Sequence, residues 1–187
     1  MTCFNLLVAL VLLHAVLRSM QIIETDRLTL RYFTVRDADA LIPILGDAEV
    51  MRFSIIGVHT SRQIRQFIEQ RLLSYLERGF GLYAVVHKQN QALIGYCGFF
   101  VQSIGEHREI EVGYRLAQQY WGRGLATEAG KAVIKYGQTR FNFHRFVCLI
   151  DRDNLRSVRV ATKLGMKWEK ELIYHGLDVA MYSLDCE

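Results

Sequence analysis

The sequence predicts a single α/β domain, a sandwich in which helices cover a central mixed sheet. The order of elements is the first ground for this. Short apolar, β-rich runs alternate with longer runs whose apolar residues recur at helical spacing, giving a strand, two helices, a strand pair, a further strand, and then helix, strand, helix and two closing strands. Size is the second: 187 residues, 51% hydrophobic and 22% charged, are enough for one well-buried core and too few for two ordinary domains. Continuity is the third, because one proline, no low-complexity segment and no internal repeat leave no visible linker.

The opening strand runs from Leu28 to Tyr32. A Thr-x-x-Asp box from Thr34 to Asp37 then signals a helix start, and Ala38, Leu41, Ile42 and Leu45 continue at helical spacing up to Gly46. The second helix starts near Thr60, with Gln63 three residues on. It lines Ile64, Phe67, Ile68, Leu72 and Tyr75 along one face and ends at Gly79. Leu82 to His87 and Ala92 to Phe100 form a hairpin around Lys88 to Gln91, with Asn90 suited to the turn conformation. After a polar loop with His107 and Arg108 comes the strand Glu109 to Leu116, then a helix from Leu125 to Tyr136 whose stripe is Leu125, Ala129, Ala132, Val133 and Tyr136. Arg145 to Asp151 is the next strand, Asn154 caps a short helix that Gly165 ends, and Met166 to Leu172 and Val179 to Asp185 close the domain.

The stretch Gln119 to Ala129 is where the sequence points to chemistry. Gly122 and Gly124 stand where a strand becomes a helix; lacking Cβ atoms, they can take positive φ and let backbone N–H groups converge on one point. The unpaired N–H groups and positive dipole end of the helix then suit a phosphate or pyrophosphate, although ordinary strand-to-helix turns share the same G-x-G. Neither a dinucleotide fingerprint nor a P-loop fits, because Thr127 and Ala132 occupy positions where those motifs need other residues.

Gln119-x-x-Gly122-x-Gly124 resembles the coenzyme A loop of the GNAT acetyltransferases. The wider run Glu111-Val-Gly-Tyr114 with Tyr120-Trp-Gly-Arg-Gly-Leu-Ala-Thr-Glu-Ala129, followed by Asn154-x-x-Ser157 and Lys163-Leu-Gly-Met166, resembles the RimJ/RimL-like branch that acetylates protein N-termini. The resemblance covers residues 23–184. It implies the GNAT fold, a central mixed, mostly antiparallel twisted sheet flanked by helices, and acetyl-CoA as donor to an amine acceptor. It implies cofactor contacts at Leu116, Gln119, Tyr120, Trp121, Gly122, Arg123, Gly124, Leu125, Ala126, Thr127, Asn154 and Ser157. The segments 51–59 and 80–83 are expected to face the acceptor, and neither contains a carboxylate.

Among candidate catalytic residues, Glu111 holds the position before Val-Gly-Tyr where the family often carries its base. Glu109 alternates onto the same side, and both are equally compatible with a solvated strand edge. Gly113 is expected to mark a bulge that frees the backbone of Tyr114 to Leu116 for the pantetheine amides and the thioester carbonyl. Many relatives place a tyrosine acid four residues before the Gly165 position. This chain has Ala161 there, so the acid role passes to Ser157, Tyr114 or water, or to none. The function implied is N-acetylation of a primary amine, with a peptide N-terminus preferred. Acetylation of a small amine or antibiotic, and a non-catalytic coenzyme A-binding module, are the alternatives.

The net charge of +4, with scattered Lys and Arg, suits an anionic cofactor without demanding nucleic acid. Cys3, Cys97, Cys148 and Cys186 form no C-x-x-C pair and no metal site is expected; they read as reduced thiols of a cytoplasmic protein, with Cys97 and Cys148 packed in the core. The apolar run in residues 1–19 is too short to span a bilayer and has no preceding positive charge. It reads as an extension or misassigned start before a domain at 20–187, with no membrane partner expected; a signal or a membrane anchor is the alternative. Monomer and dimer are both compatible with the sequence.

Overall fold

The computed structural model describes residues 21–186; the expectation for the apolar segment 1–19, and the boundary at 20, lie outside them. Eight strands form one sheet: β1 Gln21–Glu24, β2 Leu28–Arg31, β3 Leu82–His87, β4 Ala92–Ile104, β5 His107–Leu116, β6 Arg145–Asp151, β7 Lys167–Tyr174 and β8 Leu177–Asp185. Four helices join them: α1 Ala38–Leu45, α2 Ser61–Arg78, α3 Leu125–Phe141 and α4 Leu155–Lys163. The strand order is β1-β2-β3-β4-β5-β6-β8-β7, and only β5 and β6 are parallel. The mixed, mostly antiparallel sheet expected from the sequence is therefore present.

Local chemistry explains most of these elements. Thr60 and Gln63 form a reciprocal capping box at the start of α2, and Gly79 ends it at φ 78°. Thr34 and Asp37 cap a short 3-10 turn ahead of α1. Asp37, the one buried charged residue among those described, is neutralised by a bidentate Arg31 guanidinium at 2.7 and 2.8 Å, which pins β2 to that helix start. The core lies between the sheet and its helices. Leu28, Leu30, Phe33, Tyr83, Ile64, Val133 and Phe146 are fully enclosed, each such side chain contributing about 1.5–3 kcal/mol by leaving water.

Several expectations are corrected by packing between distant segments. The strand expected at Leu28 to Tyr32 is β2, and a further strand, β1, precedes it antiparallel across the turn at Thr25–Arg27. Helix α3 runs past Tyr136 to Phe141. In the β3–β4 turn Gln91, not Asn90, takes positive φ. Residues 80–83 do not face an acceptor: Phe80 packs among Phe99, Phe141 and Phe143, while Leu82 and Tyr83 are buried.

The bulge lies in β4, not at Gly113. Val85 pairs with Gly95 and Val86 with Leu93, so one extra residue sits in β4, and Gly95 at φ 146° leaves a Cβ no room beneath the Arg115 carbonyl. Gly113 pairs regularly with Gly98, and its missing side chain makes room for Phe100, whose ring would stand 2.5 Å from a Cβ.

Gly113→Ala is therefore expected to destabilise by about 1–3 kcal/mol, since the Phe100 ring must shift inside a packed layer. Urea unfolding of Gly113→Ala, alone and combined with Phe100→Leu, checks this. Recovery of part of the loss in the double variant is the expected result.

Candidate functional site

The site is built where two parallel strands part. Strands β5 and β6 share one ladder position, Glu111 opposite Val147. Beyond it the Cys148 thiol donates to the Val112 carbonyl at 3.2 Å, and no further rung joins the pair. The edge of β5 from Gly113 onward therefore faces an opening between the strands. The expectation of a free backbone from Tyr114 to Leu116 holds only in part, because the Leu116 carbonyl accepts from the Trp121 indole at 2.8 Å.

That indole bond folds the glycine turn back against the end of β5. Gly122 and Gly124 adopt φ 73° and 78°, as expected of residues that must reverse the chain without a Cβ. Helix α3 then begins with no side-chain cap, and the Glu128 N–H is the first to bond back, to the Gly124 carbonyl. The N–H groups of Leu125, Ala126 and Thr127 thus point out of the helix start, and no protein atom lies within 4 Å of a Cβ position on Gly122. An uncapped helix start with open space beside it fits an anionic diphosphate.

The turn is held from outside by a residue that sequence reading missed. Arg27, in the β1–β2 turn, donates to the Glu128 carboxylate at 2.6 Å and to the Arg123 carbonyl at 2.9 Å; Thr25 also donates to Glu128, at 2.6 Å. Burial alone would raise the Glu128 pKa, but the Thr25 and Arg27 hydrogen bonds outweigh it and hold the carboxyl below its ordinary value of 4.5. Nothing in the sequence pairs positions a hundred residues apart.

The expected cofactor residues divide by role. Gly122, Arg123 and Gly124 are exposed at the turn, and Gln119 is exposed just before it. Leu125 is buried, so only its backbone reaches the opening, while Ala126 and Thr127 are half-buried. The Tyr120 side chain is used structurally: it is buried, its hydroxyl accepts from Asn90 at 2.9 Å, and its ring lies beneath the Arg123 guanidinium. Trp121 carries Arg156 over its ring. Asn154 caps α4 by accepting from the Ser157 N–H at 3.2 Å.

The three catalytic candidates do not share one face. Alternation along β5 puts Glu111 on one side of the sheet and Tyr114 on the other. Tyr114 opposes Cys97 and its buried hydroxyl has no hydrogen-bond partner of acceptable geometry, although Ser157 is near enough to favour its ionised form. Burial is the larger influence and raises the Tyr114 pKa, so the hydroxyl stays protonated at neutral pH. Ala161 is 1% exposed and belongs to the core, so α4 offers no tyrosine hydroxyl there.

On the opposite face, Glu111 and Glu109 have different fates. Glu109 pairs with Arg145 at 3.1 Å, together with Glu169 and Asp185, in an ion-pair cluster. Glu111 has no cation partner among the described residues. Its carboxylate accepts from Gln102 at 2.5 Å, and Gln102 accepts from the Tyr174 hydroxyl at 2.5 Å. Glu111 as a residue is half-buried, yet its carboxylate is enclosed deeply enough that burial raises its pKa, with hydrogen bonds from Gln102 and the Leu149 backbone opposing. Gln102 and Tyr174 were also missed; the strand register needed to find them is absent from local pattern.

Known proteins resemble this arrangement. Residues 27–167 match the model of the acetyltransferase (GNAT) domain family. An uncharacterized N-acetyltransferase, p20, of Bacillus licheniformis is 31% identical over 172 residues, 88% of this chain and 96% of that protein. A GNAT-family acetyltransferase structure from Bacillus anthracis superposes with a TM-score of 0.75 at 29% identity, covering 87% of this chain and 97% of that one. RimL, an α-N-protein acetyltransferase of ribosomal protein L7/L12 in complex with coenzyme A, superposes with a TM-score of 0.75 at 22% identity over 89% of this chain and 98% of its own.

Because the folded pKa of Glu128 is lowered, its contribution to stability is present above the ordinary carboxyl range and lost as pH falls through the folded value. Glu128→Gln is expected to be less stable than the parent at pH 7, with the gap closing below about pH 4. Thermal unfolding across that range checks it.

Proposed function

The chain belongs to the GNAT acetyltransferase family, and on that premise we propose that it carries acetyl from acetyl-CoA to the free α-amine of a peptide or protein N-terminus by direct transfer. The observation that carries the reading is Glu111, a carboxylate without a cation partner, enclosed at the last rung before the strands part. The uncapped start of α3 with Gly122 and Gly124 would hold the cofactor's diphosphate, and the β5 edge beyond Glu111 would pair with its pantetheine amides. When bound, acetyl-CoA supplies the acetyl group as a thioester.

This chain's own residues supply position and proton handling. Only the neutral amine attacks, and an α-amine of pKa about 7.7–8.0 needs roughly 2 to 3 pKa units less help than a lysine side chain near 10.4. Glu111, with its pKa raised by burial and its oxygen oriented by Gln102, would take the amine proton directly or through water. Tyr114, kept protonated by burial, and Ser157 stand on the other face, where a hydroxyl can donate a hydrogen bond to sulfur as it leaves. With 161 filled by core alanine, one base and hydroxyl donors suit an α-amine. The RimL-like structural neighbours support the same acceptor. The loop 51–59 is still read as an acceptor wall, with Phe53 half-buried and Ile55 exposed, although Met51 itself is buried as packing against Arg115.

Two outcomes test this. Gly122→Val places a side chain where protein leaves open space, so it is expected to abolish acetyl-CoA binding by calorimetry while the fold survives; unchanged affinity would overturn the diphosphate assignment.

Glu111→Gln is expected to lower turnover by about 10²-fold at neutral pH with acetyl-CoA affinity little changed, the deficit shrinking at high pH where the amine is already neutral. The wild-type rate should fall as pH drops through a Glu111 pKa above 4.5. A carboxyl with a raised folded pKa contributes stability that is present at low pH and lost as pH rises through that value, so Glu111→Gln should unfold no earlier than the parent at pH 7. Turnover on peptides and small amines, followed by free thiol release, reads both rate and acceptor. A panel in which only small amines react would remove the N-terminal assignment.

A further inference from the structure

The half-buried arginines of this fold divide into two with carboxylate partners and two without, and the two without share a location. Among the described residues four arginines are half-buried: Arg31, Arg71, Arg115 and Arg145. Arg31 is neutralised by Asp37, and Arg145 by Glu109, Glu169 and Asp185. Arg71 and Arg115 have no carboxylate partner among the described residues. A guanidinium withdrawn from water without a counter-charge is costly, and such groups are retained where a ligand supplies the missing charge.

Both unmatched arginines stand on the Glu111 side of the sheet. Glu111, Gly113 and Arg115 alternate onto one face of β5, and their partners across the ladder to β4 are Phe100, Gly98 and Tyr96. The Arg71 guanidinium, on α2, lies 5.7 Å from the Phe100 ring and 4.8 Å from the Phe67 ring, and Phe67 in turn packs on Tyr96 at 5.4 Å. Arg115, beside Tyr96 in that row, reaches Met51, and its only recorded side-chain hydrogen-bond acceptor is that thioether. The Arg71 Nε is buried with no acceptor at all. Aromatic faces offset part of the cost of the Arg71 charge, but they leave its Nε–H without an acceptor.

We propose that Arg71 and Arg115 form the anion-recognition side of the acceptor site, selecting amines that carry a carboxylate close to the reacting nitrogen, foremost peptides with an acidic residue next to the N-terminus. The proposal rests on Glu111 marking the acceptor face. A planar guanidinium recognises a carboxylate through paired hydrogen bonds, and the same two charges repel a polyamine. Burial lowers the Arg71 pKa but leaves it cationic at any physiological pH.

The test measures kcat/KM by thiol release for three peptides identical except at the second and third positions, which hold aspartate, asparagine or lysine, with free aspartate and spermidine as small-amine arms. The aspartate peptide is expected to exceed the asparagine peptide by about tenfold or more, mainly through KM, and the lysine peptide to be poorest. In Arg71→Met and in Arg115→Met the aspartate-to-asparagine ratio should fall toward one. Equal rates for the aspartate and asparagine peptides in the wild type, a ratio that persists in both variants, or spermidine as the best acceptor would each overturn the anion site. The wild-type panel decides even if a variant fails to fold, and Arg71→Lys, which keeps charge without the planar fork, should retain part of the preference. If no peptide reacts but aspartate outpaces spermidine, the anion site stands and the N-terminal assignment falls. If Glu111→Gln leaves every rate unaltered, the base assignment fails, and the peptide ratios still decide the anion site separately.

Discussion

The site depends on one ladder position, Glu111 opposite Val147, where β5 and β6 are still joined. Parallel neighbours in a sheet normally cover each other's backbone groups along their length, since unpaired N–H and C=O groups away from water are costly. Here the two strands part after a single rung, with the Cys148 thiol reaching the Val112 carbonyl and the Glu111 side chain reaching the Leu149 backbone across the gap. Beyond that point β5 is held in strand geometry by β4 on one side, and its other edge pairs with no strand up to the Leu116 carbonyl, which the Trp121 indole occupies. The bulge at Gly95 bends β4 directly under Arg115 and Leu116, so the distortion lies on the supporting strand while β5 itself runs regularly to its end.

A second constraint keeps the glycine turn in place beside this opening. The turn has few contacts of its own: Gly122 and Gly124 are exposed, and the helix they open has no side-chain cap. It is secured at one end by the Trp121 indole on the Leu116 carbonyl and at the other by Glu128, whose carboxylate collects Arg27 and Thr25. The opening strands are thereby coupled to the turn through hydrogen bonds to a charged group, each weakened by solvent because the Arg27 side chain is largely exposed. Rigidity comes from these flanking contacts, and the exposed N–H groups between them remain available.

Charge is distributed unequally over the two faces. The face carrying Tyr114 and Ser157 has hydroxyl donors, with the Cys97 and Cys148 thiols buried behind them. Burial pushes the Cys97 thiol up to about 12 and that of Cys148 well above its ordinary value, so both act as inert packing, as their apolar setting in the sequence suggests. The face carrying Glu111 has a carboxylate oriented by an amide and a tyrosine, and two arginines without carboxylates. The carboxylate and the unmatched guanidinium groups thus lie on one face and the hydroxyl donors on the other.

What the sequence by itself determined is what a few neighbouring residues can decide. The helix starts at Thr34 and Thr60, the stop at Gly79, the left-handed glycines at 122 and 124, and the cap at Asn154 are all legible, because each is settled by hydrogen bonds or backbone sterics within about four residues. The α/β class is legible for the same reason, from periodicity, and so is the strand-to-helix turn from the position of its two glycines. Tertiary structure decided the rest. It paired a further strand with the opening one, put the bulge at Gly95 instead of Gly113, turned residues 80–83 into core, spent the Tyr120 side chain on Asn90, and separated Glu109, neutralised by Arg145, from Glu111, held by Gln102. Those outcomes rest on partners as much as 103 residues apart, such as Thr25 and Glu128. Which of them meet is set by strand order and register, and a one-residue change of register would turn every side chain to the other face.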